Sequence, residues 1–137
     1  MHDRWEYEIP ANTAEKDRIK VECPVSSGTL TRLCVYFPPG NYDLGRCRIR
    51  LGEKPIAPRS PSSYLTSNGH MIVLEDMEEN ITENRPYLIW ELWNLDETWP
   101  HTPWMTAEWV GADEPYAKTS SRAIRELVDQ LRRLIGV

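Results

Sequence analysis

Short runs in which apolar and polar residues alternate recur along most of the chain, and Pro, Gly or Asn closes most of them. The first run alternates Trp5, Tyr7 and Ile9 with charged residues and stops at Pro10. Because successive side chains of a strand point to opposite faces, such runs predict half-buried strands, and many short ones favour an all-β domain. The strand candidates cover residues 4–9, 18–23, 29–37, 47–51, 64–66, 71–74, 87–93 and 104–110. We therefore predict an antiparallel β-sandwich, jelly-roll-like, over residues 1–110.

The spacing of apolar residues changes near the C-terminus, where they recur three and four positions apart. This spacing predicts one amphipathic α-helix over residues 119–136, preceded by a linker at 111–118. The apolar residues of its stripe are Ile124, Leu127, Val128, Leu131, Leu134 and Ile135. A helix of about four turns is marginally stable by itself, so we expect the stripe to dock on its own domain or on a neighbouring subunit.

Charge and hydropathy exclude two classes of partner. The chain has 16 Lys and Arg against 21 Asp and Glu, whereas a nucleic-acid binder usually carries a concentrated basic face. No apolar run approaches the ~18 residues that a membrane-spanning helix needs. We therefore expect neither nucleic acid nor a membrane as a partner.

Two local clusters of charge suggest contacts with other proteins. Arg46, Arg48 and Arg50 alternate with apolar residues, so a strand would place all three on one face. They form either the solvated face of a half-buried strand or a docking stripe for an acidic partner. The acidic run at 75–79 is expected to be a solvated loop, or the other half of a contact between subunits.

The sequence offers no recognisable catalytic or metal-binding pattern. Its histidines are His2, His70 and His101, and neither a nucleophile elbow nor a phosphate-binding glycine loop is present. The three cysteines are widely spaced and lack a Cys-x-x-Cys pair, which favours free, buried thiols over a zinc site. We therefore expect a protein that is not an enzyme and that has no catalytic residue, metal or cofactor.

Tryptophan is concentrated in one part of the chain, since five of the six fall between residues 90 and 109. The segment 93–104 is predicted to be a loop between two strands, and it includes Trp93, Trp99 and Trp104. Three interpretations remain open. The rings fill the core and brace the loop, they anchor a protein interface, or they stack on sugar rings.

Several segments in this order resemble a known family. Residues 7–13 read YEIPANT, residues 28–40 read GTLTRLCVYFPPG, and CRI and LWNLD follow at 47–49 and 92–96. Their order resembles that of small β-sandwich proteins of tailed viruses, which act as capsid cement or decoration proteins. The resemblance covers roughly residues 5–110. It implies a non-enzymatic protein of the virion that joins neighbouring subunits of the major capsid protein, often as a trimer.

The resemblance thus implies a structural protein of the virion that bridges coat subunits and forms a homo-oligomer. The expected contact residues are Trp93, Trp99, Trp104, Arg46, Arg48, Arg50, Leu127, Leu131 and Leu134. The alternative is a carbohydrate-binding β-sandwich module that uses the same loop tryptophans.

Overall fold

The computed structural model describes residues 1–84, 86–111 and 121–134, and it describes side chains of the helix from residue 128 onward. These residues form nine strands and one α-helix. The strands are β1 (His2–Glu6), β2 (Ile19–Pro24), β3 (Gly28–Tyr36), β4 (Gly45–Leu51), β5 (Lys54–Ala57), β6 (Met71–Leu74), β7 (Glu79–Ile81), β8 (Tyr87–Asn94) and β9 (Trp104–Gly111). The helix is α1 (Ser121–Leu134), and a short 3₁₀ turn (Glu15–Asp17) precedes β2.

The strands form two antiparallel sheets, which confirms the predicted all-β sandwich. One sheet has the order β1-β9-β3-β6, with β7 also paired to β3, and the other has the order β2-β8-β4-β5. We call them sheet 1 and sheet 2. Early strands pair with late ones, as in one long hairpin that is rolled into two layers. The pairs are β1 with β9, β2 with β8, β3 with β6 and β7, and β4 with β5. This is the strand order of a jelly roll.

The core lies between the two sheets and is built from alternate residues of each strand. Leu88, Trp90 and Leu92 of β8 are fully buried, which agrees with the prediction that this most apolar segment is a central strand. Leu33 and Val35 of β3 face them from sheet 1. A strand with a partner on each side buries its inward-facing residues between the two sheets, so these positions are apolar.

Two strands were not anticipated in the sequence. The proline-rich stretch 52–63, for which the sequence predicts an irregular connection with extended pieces but no defined strand, contains β5 near its start. β7 falls at the end of the acidic run, so the prediction of a solvated loop was wrong for Glu79, which is buried. Both strands are short, and a strand of three or four residues leaves little alternation to detect.

The C-terminal helix is confirmed over Ser121–Leu134. Most of the predicted linker, 112–118, and the predicted helix ends at 119–120 and 135–136 lie outside the described residues, as does the side chain of Leu127. Gly111, the first predicted linker residue, is instead the last residue of β9. In the described part of the chain, no helix is long and apolar enough to cross a membrane.

Candidate binding surface at the loop end of the sandwich

The rolled topology brings the four longest connections to one end of the sandwich. These are the β1–β2, β3–β4, β5–β6 and β8–β9 loops, at residues 7–18, 37–44, 58–70 and 95–103. Backbone hydrogen bonds join them: Ile9 pairs with His101, and the Leu95 N–H donates to the carbonyl oxygen of Leu44 over 2.9 Å. We call this the loop end. Its loops are joined to one another by backbone hydrogen bonds.

The β8–β9 loop is held in one shape by two polar side chains. Asp96 Oδ1 accepts the backbone N–H of Thr98 at 3.0 Å and that of Trp99 at 3.1 Å, while its Oδ2 lies 2.9 Å from His101 Nε2. Buried Asn94 donates from Nδ2 to the Trp99 carbonyl oxygen over 2.9 Å. The hydrogen bonds from the Thr98 and Trp99 backbone hold the pKa of Asp96 below its ordinary value.

The loop that these side chains brace presents Trp99 to solvent. Its side chain is 67% exposed, although its backbone is bonded on both the N–H and the C=O side. On the adjoining β3–β4 loop, Tyr42 is 72% exposed, and Leu95 of the β8–β9 loop is 41% exposed. A large exposed aromatic on a rigid loop costs little conformational entropy on binding, so the geometry suits a docking surface.

A second brace fixes the β3–β4 loop that carries Tyr42. Asn41 is fully buried, and its Nδ2 donates to the carbonyl oxygens of Gly45 and Ser67 at 3.0 and 2.9 Å. Its Oδ1 accepts the Gly45 N–H at 2.9 Å. Tyr42 and Asp43 then both adopt positive φ angles, 46° and 66°. Such backbone angles are uncommon for residues other than glycine, and Asn41 helps to hold them.

Trp93 was predicted to be a loop aromatic, and that prediction was wrong. It lies within β8 and is 1% exposed, on the outer face of sheet 2. Tyr64 of the β5–β6 loop meets its ring edge-on at a centroid distance of 6.3 Å, and the Arg48 guanidinium lies 4.8 Å from the ring centroid. The ring is buried because a loop folds back over the outside of the sheet, which strand periodicity cannot show.

Trp104 has a third environment, at the start of β9. It is half-buried, stacked on Tyr36 with centroids 5.3 Å apart, and the Arg4 guanidinium lies 5.0 Å from its ring centroid. Of the three tryptophans proposed as contact residues, Trp99 is therefore the exposed one. Trp93 is buried and Trp104 is partly covered.

The three arginines of β4 lie on one face, as predicted, but their partners are within the chain. Arg50 Nε donates to Glu91 Oε1 over 2.5 Å, and Arg18 Nε donates to Glu91 Oε2 over 2.6 Å. Arg48 Nε lies 3.6 Å from the same carboxylate. Glu91 is only 3% exposed, so one buried carboxylate on β8 gathers three guanidinium groups.

The outer partners of this network are on loops. Arg48 also pairs with Glu15 at 2.7 Å and bonds the Pro61 carbonyl oxygen, and Arg46 pairs with Asp43 at 3.3 Å. Each arginine of the stripe thus has a carboxylate of its own chain. The stripe is a network that pins loops onto sheet 2, and it leaves little free charge for an acidic partner.

Burial and charge act in opposite directions on Glu91. Desolvation alone would raise its pKa, but the hydrogen bonds and charges of Arg18 and Arg50 outweigh it and hold the pKa of Glu91 below its ordinary value. The carboxylate is therefore charged at neutral pH in the folded chain.

The cysteines are free and buried, as predicted. Burial raises the pKa of the Cys23 thiol and of the Cys47 thiol to about 12, which keeps both in the unreactive protonated form. Within the described residues, no group of three or more His, Cys, Asp and Glu side chains is placed to hold a metal ion.

Comparison with known proteins supplies no family for this chain. No protein-family model matches it, and no curated protein is significantly similar to it in sequence. Its function has to be argued from the loop end itself.

The sequence interpretation missed the side chains that brace this end. Asn94 and Asp96 form an Asn-x-Asp pair, and Asn41 precedes a Tyr-Asp turn. Asn and Asp commonly bond backbone groups two or three residues away, so both segments carried a turn signal. That signal could have indicated a fixed loop, although not its contacts with the other loops.

Proposed function

We propose that this protein is a non-enzymatic structural component of a virion that docks on assembled capsid subunits through its loop end. The proposal rests on one observation: Trp99 is 67% exposed on a loop whose backbone is fixed by Asn94 and Asp96. The resemblance of residues 5–110 to capsid cement proteins supplies the class of partner, the major capsid protein or another virion subunit.

The physical role of the exposed ring is that of an interface anchor. Tryptophans at the centre of an interface commonly contribute about 2 kcal/mol or more, because a large ring leaves water at once. The fixed loop removes most of the ordering cost that a mobile loop would add. Tyr42 and Leu95 are exposed on loops of the same end of the sandwich and add apolar surface to it.

Docking of this kind would stabilise a capsid without chemistry. A ligand that binds only the assembled lattice shifts the equilibrium toward that lattice by mass action. A protein that touches two neighbouring coat subunits binds more tightly still, because the first contact holds the second binding surface close to its partner. Cement proteins would therefore stiffen a shell through many modest contacts.

The test measures binding to capsid shells assembled from the major capsid protein encoded in the same genome. Wild-type protein, Trp99→Ala and the control Tyr87→Ala are each mixed with shells and sedimented. Tyr87 is 42% exposed but starts β8, at the opposite end of the sandwich. We expect wild type and Tyr87→Ala to co-sediment and Trp99→Ala to bind at least about 10-fold more weakly. Wild-type protein that stays in the supernatant would refute the proposal.

The alternative is a carbohydrate-binding module, and the exposed aromatics of two adjoining loops, Trp99 and Tyr42, favour it. Rings of this kind can stack on the apolar faces of sugars. Titration with soluble oligosaccharides, followed by tryptophan fluorescence, separates the two functions. Saturable quenching that is lost in Trp99→Phe would support sugar binding and would contradict docking on coat protein as the role of this end.

A further inference from the structure

The outer face of sheet 1 carries an apolar patch that the described chain leaves largely exposed, with Arg4 over the Trp104 ring at its edge. Antiparallel register places Met71 beside Tyr36 and Val73 beside Cys34, on the side of the sheet away from the core. Met71 is 52% exposed and Val73 is 40% exposed, and the stacked pair Tyr36 and Trp104 continues the patch. Exposed apolar side chains that are contiguous in this way commonly mark an interaction surface.

The C-terminal helix carries the second uncovered apolar surface. Val128, Leu131 and Leu134 are 39%, 55% and 82% exposed. A coiled-coil seam has two apolar positions in each seven residues. The stripe of this helix is wider than that, because Leu127 and Val128 are consecutive apolar residues. A stripe of that width is typical of a helix that packs on a globular surface, whereas a narrow seam is typical of a coiled coil.

Size and charge make the two surfaces complementary. A helix of 14 residues is about 21 Å long, close to the roughly 26 Å of an eight-residue strand such as β9. The helix has four arginines and two acidic residues, which gives it a net charge of +2. Because the whole chain has a net charge of −5, the rest of the chain has a net charge of −7. Glu75 and Glu108 lie at the patch and are 66% and 49% exposed, with Arg32 between them.

The patch and the helix belong to one chain, yet the single chain leaves both uncovered. Nine residues separate Gly111 from Ser121, and their extended length of up to about 30 Å is enough for the helix to reach its own sheet. Leu131 and Leu134 nevertheless remain exposed. If the helix of another copy packs on the patch, both apolar surfaces are buried.

We propose that α1 of one copy docks on the outer face of sheet 1 of a second copy of this chain. Each copy has one helix and one patch, so two copies that exchange helices make the same contact twice. Arg132 follows Leu131 and is exposed on the flank of the stripe, so it then lies toward the rim at Glu75 and Glu108, whereas Arg133 stays on the solvent side of the helix. This self-association uses neither Trp99 nor the loop end.

The first test measures the mass of the full-length protein in solution by light scattering after size exclusion. We expect a multiple of 16.0 kDa for wild type and for the control Tyr87→Glu, and a mass of one chain for Val73→Glu and for Leu131→Glu. Circular dichroism shows whether each variant is folded. Wild type that has the mass of one chain at all concentrations would overturn the proposal.

The second test locates the contact and separates exchange from folding back. A Val73→Cys chain is mixed with a Leu131→Cys chain and treated with a short bismaleimide. Both chains also carry Cys34→Ser, because Cys34 is the cross-strand neighbour of position 73, and the other native thiols are buried. A cross-linked heterodimer, absent when Tyr87→Cys replaces Val73→Cys, supports docking between copies. Cross-linking only within a chain that carries both substitutions shows that the helix folds back on its own sheet, and overturns the proposal. Neither readout depends on capsid binding.

Discussion

Replacement of Glu91 tests whether the arginine network on sheet 2 stabilises the fold. Glu91 is 3% exposed and accepts hydrogen bonds from Arg18 and Arg50 at 2.6 and 2.5 Å, with Arg48 also within 4 Å. In Glu91→Ala the three guanidinium groups lose the one buried carboxylate that they share. They also stay close together, so the variant adds repulsion to the loss of two charge-assisted hydrogen bonds.

The magnitude follows from burial. Breaking a fully buried ion pair by removing one partner commonly costs about 3–5 kcal/mol of unfolding free energy. Here the arginine side chains are 12–30% exposed and can recover part of their hydration, which reduces the cost. We therefore expect Glu91→Ala to lose about 3 kcal/mol, or about 10 °C in Tm for a chain of this length. Glu91→Gln, which keeps the shape, should lose about half as much.

The assay is urea unfolding followed by tryptophan fluorescence, since Trp93 is buried against Arg48 of this network and Trp90 is buried in the core. The matched control is Glu15→Gln, because Glu15 pairs with Arg48 at 2.7 Å but is 54% exposed. An exposed pair contributes about 0–1 kcal/mol, so this control should change little. If Glu91→Ala costs no more than Glu15→Gln, the reasoning that burial makes this carboxylate important is refuted.

Further predictions concern pH, the loop end and the thiols. The pKa of Glu91 is lowered from 4.5 in the folded chain, so as the pH falls this carboxylate is protonated in the unfolded chain before it is protonated in the folded chain. The stability advantage of wild type over Glu91→Gln should therefore be constant above about pH 6 and shrink below pH 4.5. Asn41→Ala leaves buried backbone groups unpaired and should cost about 3 kcal/mol in urea unfolding, and a loss below about 1 kcal/mol would contradict its bracing role. Trp99→Ala should change stability by less than about 0.5 kcal/mol, because most of the ring is exposed, and a larger loss would show that it packs against the fold. With thiol pKa values of about 12, Cys23 and Cys47 should react with an aromatic disulfide reagent only as the chain unfolds, and fast labelling of the native protein at pH 8 would contradict their burial.

Alternation in the sequence was enough to predict the sandwich but not all of its strands. β8 was predicted correctly because six of its seven predicted positions, 87–93, are apolar and they occupy both faces. β5 and β7 were missed because strands of three or four residues show little alternation, and their pairing depends on partners far along the chain. The helix was predicted from its spacing alone, since a 3.6-residue period is a local property.

The candidate site was predicted less well than the fold, and Trp93 and Trp99 show why. Both are tryptophans of one predicted loop, and composition cannot distinguish them. Trp93 is buried because Tyr64, 29 residues earlier, returns to cover the outer face of sheet 2. Trp99 is exposed because Asp96 and Asn94 hold its backbone in place and leave the ring free. Both outcomes depend on tertiary contacts that alternation does not encode.

The way in which the loop end is stabilised would allow the proposed binding to be separated from folding. Its loops are held by polar side chains beneath the surface, Asn41, Asn94 and Asp96, which bond to backbone groups. The aromatic rings above them, Trp99 and Tyr42, contribute few of these bonds and remain largely exposed. Replacement of a brace should therefore lower stability or loosen the loop, whereas replacement of an exposed ring should alter binding alone. A surface built in this way can change its partner through the rings without cost to the jelly roll beneath, which is the arrangement expected of a docking protein on a rigid scaffold.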